Sequence, residues 1–293
     1  MSRGRGVPRV SVIAPTRHDW PRAALLVRAL SAQTETDFEI LLVNNDPGDP
    51  PPANFPDDPR LRILDEGAPG SYAARNRGAA VARGRYLAFT DSDCVPEPDW
   101  LAQFLACARA HDGLISGAVC MVSTERPMHA LNWAESYDYF FGINPEIYAR
   151  DGVAATASLF LPRALFEAAG GFDAGLMSGG DIAFCRSAAQ HWQGPGPALV
   201  HCPQAVLRHP LRSDLAALLA KARRVAGGRA QRDGWRALPV TLAPPLVRLR
   251  ILMGKPSPGG GARLRAGLLI GRVKALEIAE TLAGLMLGRP PRR

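Results

Sequence analysis

The tightest constraint on the fold is the stretch from Gly70 to Cys94, which reads as a short helix, a turn and a buried strand that ends in two carboxylates. Ala73, Ala74, Ala79, Ala80 and Ala82 are strong helix formers, Ser71 can cap their helix, and Gly84 can stop it. Tyr86 to Thr90 is then a short apolar run between turn signals, as in a strand covered on both faces. Asp91, Ser92 and Asp93 follow at its carboxyl end. Two aspartates one residue apart repel each other in low dielectric, and each must also give up water. A hard divalent cation removes that cost. Mg²⁺ or Mn²⁺ takes oxygen ligands and keeps positions for water and substrate phosphates, so one or two carboxylates suffice. A solvated acidic turn is the plain alternative, and an Asp-x-Asp alone does not decide between them.

The preceding chain has the same alternation. Val10 to Ala14 is a β-rich run ended by Pro15, with Thr16 and Arg17 at its carboxyl end. Trp20 to Gln33 spaces Leu26, Ala29, Leu30 and Gln33 as a helix does, with Pro21 acceptable in its first turn. Phe38 to Val43 is a second strand, and strand, helix and parallel strand of this length form the right-handed unit of a nucleotide-binding half. Asp46 to Pro59, rich in proline and aspartate, is expected to be an irregular, mobile loop. Leu61 to Leu64 can form a short strand. Pro96, Pro98 and Asp99 can start a helix whose apolar face is Trp100, Leu101, Phe104, Leu105 and Ala108. Leu114 to Val122 has strand composition, and Leu199 to Val206 reads as the final strand.

The net charge of +8 on 293 residues suits an anionic partner: nucleotide phosphate, an acidic membrane leaflet or nucleic acid. No helix-turn-helix, RNP or zinc pattern accompanies it, so no specific nucleic acid is expected. Cys94, Cys107, Cys120, Cys185 and Cys202 show no CxxC pairing and no histidine at zinc spacing, which fits thiols in a reducing cytoplasm. Met1 to Arg9 is polar and basic, without a signal-peptide pattern. A cytoplasmic location is therefore expected, with a peripheral position on the inner face of the cell membrane as its variant.

In order and spacing, Val10 to Thr16, Phe38 to Asn45, Ala74-Arg-Asn-Arg-Gly78, Asp91-Ser-Asp93, Gly170-Gly-Phe-Asp173 and Gly179-Gly-Asp181 resemble the family 2 glycosyltransferases, over about the first 210 residues. The resemblance implies an α/β fold: a GT-A-like, Rossmann-like sheet flanked by helices. It also implies inverting transfer of a sugar from a nucleoside diphosphate sugar donor to a hydroxyl acceptor on a glycan or glycolipid, in envelope polysaccharide or glycolipid synthesis. On this pattern Asp91 and Asp93 hold Mn²⁺ or Mg²⁺, and His209, in the His-Pro after the last strand, is a further candidate beside the metal. Pro15, Thr16, Asn44, Asn45, Arg75, Asn76 and Ser92 fall at donor-binding positions, and Asp181 at that of the general base. The chain departs from the pattern twice. Asn44 stands where an acidic residue usually meets the nucleotide base, and Asn-Asn-Asp-Pro-Gly is also a good turn in its own right. Gly180 stands where Asp181 usually has an acidic neighbour. Asp181 can equally cap a helix from Ile182 to His191.

Trp133, Tyr137, Tyr139, Phe140, Phe141 and Tyr148 concentrate aromatic surface that suits either a sugar acceptor or a core. The division expected is a transferase domain over 8–211 and a basic, partly amphipathic helical region over 212–293. Ser213 can cap the first helix of that region. Its two apolar blocks, Leu238 to Leu252 and Leu264 to Leu287, carry too many prolines and charges for membrane spans and suit an anionic bilayer surface. A nucleotidyltransferase of similar fold is the rival enzyme, but Pro15 to Asp19 lacks a Gly-rich, Lys-bearing phosphate loop. A non-catalytic nucleotide- or nucleic-acid-binding protein is the rival of another class.

Overall fold

The computed structural model describes residues 6–287. The first residues of the basic opening and the arginines at 289, 292 and 293 of the expected tail lie outside the described residues.

The strands β1 (Val10–Thr16), β2 (Phe38–Asn44), β3 (Leu61–Asp65) and β4 (Tyr86–Thr90) alternate with the helices α1 (Trp20–Ser31) and α2 (Ser71–Val81). Then come β5 (Val95–Pro96), α3 (Trp100–Cys107), β6 (Leu114–Val122), α4 (Trp133–Phe141), α5 (Pro145–Arg150), β7 (Ser158–Pro162), α6 (Arg163–Ala168), α7 (Gly180–His191) and β8 (Leu199–Pro210). Four helices end the described chain: α8 (Leu215–Asp233), α9 (Ala237–Leu242), α10 (Leu246–Gly254) and α11 (Ala262–Leu287). The strands form one sheet in the order β3-β2-β1-β4-β7-β6-β8-β5. β1 pairs in parallel with β2 and β4, and β2 with β3, while β7 runs antiparallel to β4.

β1 runs through Pro15 rather than stopping before it, because its ladder to β4 ends at Ile13 and the proline removes no hydrogen bond from that pairing. α2 lies close on this part of the sheet because Gly78 has no side chain. A Cβ there would stand 2.6 Å from Ile13 Cγ2. Ser71 is already inside α2, so Gly70 occupies the cap and the expected side-chain cap is not made. The 46–59 segment is irregular as expected, yet it is fastened. Trp20 donates from its indole to the Asp49 carbonyl (3.2 Å) and meets Phe55 edge-on, and Asp58 is buried against Arg60 and Ser31.

The chain separates into two compact units. One takes the chain up to Cys120, Pro145–Gly175 and Gly180–His209; the other takes Met121–Asn144, Leu176–Gly179 and the chain from Pro210. In the first unit Cys107 and Cys202 form a disulfide that joins α3 to β8, which corrects the expectation of five thiols. Their separation of 95 residues leaves no local spacing to read. Cys94 and Cys185 are buried thiols and Cys120 an exposed one.

The second unit buries Tyr137 and Phe140 of α4 with Leu218, Leu252, Leu269, Ile270 and Val273, and Tyr139 and Phe141 pack on this cluster. Most of the aromatic concentration is therefore committed to a core. α4 starts at a reciprocal cap: Asn132 accepts from the Glu135 N–H and Glu135 from that of Asn132, at 2.9 Å each. α8 is capped by Asp214, not Ser213, whose hydroxyl is turned to Glu125.

Candidate functional site

β4 delivers Asp91, Ser92, Asp93 and Cys94 to the carboxyl edge of the sheet. The two-residue β5 pairs Val95 with Arg208 and Pro96 with Leu207, which extends β8 past Val206, where the sequence ended it, to Pro210. That antiparallel register brings the buried His209 beside Asp93, with Nε2 3.8 Å from Oδ1. The ligand atoms of Asp91, Asp93, Cys94 and His209 all lie within 4.8 Å of one another. The two carboxylates offer the hard oxygen donors that Mn²⁺ and Mg²⁺ take, and the imidazole adds a borderline nitrogen donor that suits Mn²⁺ better than Mg²⁺. Cys94 is the odd member. Burial, then the charges of Asp91 and Asp93, push its thiol well up, so it stays protonated and is a poor ligand for a hard cation.

Arg75 is buried and paired with Asp91. Its guanidinium carbon lies 5.8 Å from the centre of the Tyr72 ring, and its Nε has no hydrogen-bond partner among the described residues. Tyr72 continues the line to Asp181. Its hydroxyl lies 3.4 Å from Asp181 Oδ1 as donor and accepts from the Asp181 N–H at 3.3 Å. Asp181 is in the first turn of α7, one residue inside the helix rather than before it, and Oδ1 also accepts from the Ile182 N–H at 2.9 Å. Both side-chain bonds fall on Oδ1, so Oδ2 carries none among the described residues. Burial pushes the Asp181 carboxyl above its usual range, and burial with the Asp181 charge pushes the Tyr72 hydroxyl up to about 12.

Gly180 has a physical reason. A Cβ at that position would stand 2.6 to 2.9 Å from three carbons of the Tyr72 ring. The glycine that replaces the acidic neighbour thus makes room for the tyrosine that touches the remaining acid. Tyr72 carried no sequence signal of this kind, because its partners lie 109 residues away.

The remaining predicted donor positions divide in two. Thr16 and Asn44 come side by side in the register of β1 and β2, with Pro15 one step before them, and the Thr16 hydroxyl is buried with no partner among the described residues. Ser92 is half-buried between the aspartates. The three asparagines, by contrast, are latches. Asn44 donates to the Asp49 carbonyl and to Asp65 and accepts from the Asp46 N–H, which holds the loop after β2. Asn45 donates to the Glu66 and Ala68 carbonyls and accepts from the Gly70 N–H, which sets the entry to α2. Asn76 brackets the backbone of Phe172, donating at 2.7 Å and accepting at 2.9 Å. Phe172 in turn lies against Tyr72, Phe89, Phe166 and Phe184, so the Gly-Gly-Phe-Asp segment fastens α2, β4, α6 and α7 beneath the site.

A second group passed over by the sequence reading lies at the end of β1. His18, with a left-handed φ of 53°, sits between Asp46 (3.0 Å) and Asp49 (3.1 Å). It is an exposed, strained position, and such strain collects at binding edges.

A family model described as Glycosyl transferase family 2 matches residues 11–167. Over 235 residues the chain is 30% identical to the glycosyltransferase AglE of Haloferax volcanii, covering 77% of this chain and 74% of the relative. Its fold is similar to the mannosyltransferase PcManGT from Pyrobaculum calidifontis, solved with GDP-Man and Mn²⁺, with a TM-score of 0.60 at 19% identity over 97% of this chain and 89% of that one. It is also similar to GalNAc-T7, solved with UDP, GalNAc and Mn²⁺, with a TM-score of 0.52 at 15% identity over 71% of this chain and 45% of that one.

Proposed function

The chain belongs to glycosyl transferase family 2, and from that premise we propose that it transfers a sugar from a nucleoside diphosphate sugar to an acceptor hydroxyl, inverting the anomeric carbon. The observation that carries this reading is the line Asp181–Tyr72–Arg75–Asp91, which connects a carboxylate of raised basicity to the acidic edge. Asp181 takes the acceptor proton on Oδ2 as the hydroxyl oxygen bonds to the anomeric carbon. The bond from that carbon to the diphosphate oxygen breaks on the opposite face, and the electron pair leaves with the diphosphate. A single in-line displacement needs no nucleophile from the protein. Asp91, Asp93 and His209 are the residues that would hold Mn²⁺ or Mg²⁺, and the bound ion supplies charge neutralisation to the departing diphosphate. Arg75 holds Asp91 in place. Thr16 and Ser92 are the side chains at this edge left for the donor, while the three asparagine latches shape its floor.

GDP- and UDP-sugars head the donor panel, because the two solved neighbours bind GDP-Man and UDP. The acceptor proposed is a hydroxyl of an envelope glycan or glycolipid, reached from the cytoplasmic face of the cell membrane, and the basic C-terminal region supports that location. The test is release of nucleoside diphosphate across that panel, with Mn²⁺ or with EDTA, by the wild type and by Asp93→Asn and Asp181→Asn. Metal-dependent release from one donor, lost in both variants, supports the mechanism. If no donor is turned over and titration calorimetry detects no nucleotide binding, the chain is not the transferase proposed.

A further inference from the structure

α9 and α10 of the second unit are patterned inside out. Between Gly234 and Gly254 the outward side chains include Trp235, Val240, Leu242, Leu246, Val247, Leu249 and Met253, each 44% to 70% exposed. The inward ones are Ala237, Thr241 and Leu252, and Arg248 reaches Glu277 of α11 at 2.5 Å. A helix that turns threonine inward and leucine, valine and methionine outward is unfavourable in water, where the apolar side chains stay hydrated. The segment needs an apolar medium on its outer face.

Charge identifies that medium. From Gly234 to Leu276 the sequence has eight lysines and arginines and no aspartate or glutamate. The acids on either side are neutralised within the unit, Asp233 by Arg232 (2.6 Å) and Glu277 by Arg248. Arg236 and Arg250 are exposed among the outward apolar side chains. A second copy of the chain is a poor occupant, since a two-fold interface would set cations against cations. An anionic bilayer supplies both the hydrocarbon and the opposite charge.

Neither helix crosses it alone, and Leu215–Leu242 with Leu246–Gly254 reaches the length and composition of a span only as a pair bent by 66°, a break that suits lying in the surface. α9 has six residues and α10 nine, and Pro244 and Pro245 lie between them. No single helix among the described residues is long and apolar enough for a span. We infer that α9 and α10 form an in-plane anchor that inserts Leu246, Val247 and Met253 into an anionic lipid surface, with Trp235 at headgroup depth and Arg236 and Arg250 on the phosphates. This rests on the peripheral membrane location proposed above and assigns it to one face.

The test is cosedimentation of the full chain with vesicles of phosphatidylglycerol and phosphatidylcholine, and with phosphatidylcholine alone. The variants are Leu246→Ser/Val247→Ser/Met253→Ser and, separately, Arg236→Ala/Arg250→Ala. All five side chains point outward, so thermal melting and nucleotide binding should match the wild type and show that the variants are folded. The expected result is wild-type binding that prefers the anionic vesicles and falls roughly tenfold or more in each variant. If the wild type binds anionic vesicles and both variants bind equally well, the membrane location stands and this face is not the anchor. If the wild type binds neither vesicle, and light scattering shows a dimer that the apolar variant separates, a second copy covers the face and both readings fail.

Discussion

At the amino end of the parallel strands a buried carboxylate, Glu39, is answered on every side, whereas at the carboxyl edge Asp181 is answered on one oxygen only among the described residues. Glu39 of β2 accepts from Ser11 Oγ (2.8 Å), from the Arg83 N–H (2.7 Å) and from Arg83 Nε (3.0 Å), and Ser11 Oγ accepts from the Gly84 N–H. Burial works against its charge, but the hydrogen bonds from Arg83 and Ser11 outweigh burial and hold the carboxyl below its usual range. Asp181 is also pressed by burial, but its bonds are too few to compensate, and its carboxyl is pushed up. A fully bonded carboxylate fastens a fold; a partly bonded one is left able to take a proton. The difference places chemistry at the carboxyl edge, where open α/β sheets bind their ligands.

Substitution at the two ends should separate these roles. Asp181→Asn should lower kcat by roughly a hundredfold to ten-thousandfold, the range of a lost general base, with little change in melting temperature. Glu39→Gln should do the reverse: activity kept, and stability reduced by about 1 to 3 kcal/mol in urea unfolding, because the amide cannot reproduce the charge-assisted hydrogen bonds that Ser11 and Arg83 give the carboxylate. Glu39→Gln abolishing turnover at full stability would erase the contrast. Next in size is Asp93→Asn. It should weaken Mn²⁺ binding, read by titration calorimetry, by at least on the order of a hundredfold, the upper end of what losing a mere partner of a ligand costs, and leave nucleotide-free melting unchanged. Unaltered Mn²⁺ affinity would remove Asp93 from the ligand set.

How much of this contrast is legible in the sequence follows from how local each cause is. β1, β2, β4, β6 and α1 are local patterns of apolar spacing and punctuation, and they lie within a few residues of where the sequence places them. Asp91, Asp93 and Asp181 are legible because motifs fix them to strand and helix ends. His209 was readable as a candidate, but its place beside Asp93 depends on the β5–β8 pairing, which two residues encode. The latch roles of Asn45 and Asn76 were not legible, since an amide side chain fits a ligand and a backbone equally well. Arg83 is an exposed charge, and nothing local in the sequence shows that it is also the partner of Glu39, 44 residues earlier. The side chains that decide the chemistry of a carboxylate are those that sequence distance hides.

Tyr72 sharpens the comparison with a smaller effect. Its hydroxyl bond favours the ionised form of Asp181. Removing it in Tyr72→Phe should raise the Asp181 carboxyl further and move the acid limb of the kcat–pH profile to higher pH, with kcat at neutral pH down by about tenfold. Gly180→Ala should shift the limb the same way, because its methyl group displaces the Tyr72 ring. A merely structural tyrosine would lower activity at every pH and leave the limb in place.

The smallest effect, and the one that tests the contrast without any substrate, is the pH dependence of stability. The Glu39 carboxyl is depressed in the folded chain, so what it contributes is fully present above the unfolded carboxylate range, near pH 4.3 for a free glutamate, and is lost as pH falls through its lower folded value. The Asp181 carboxyl is raised, so the unfolded chain ionises first and the folded state is penalised, with the full penalty above the folded value and none below the unfolded one. Near neutral pH, Glu39→Gln should therefore be less stable than the wild type and Asp181→Asn slightly more stable. In urea unfolding from neutral to acid pH, the two variants should approach the wild type from opposite sides. Convergence from the same side would mean that the two ends of the strands treat a buried carboxylate alike, and Asp181 would lose its claim to be the base.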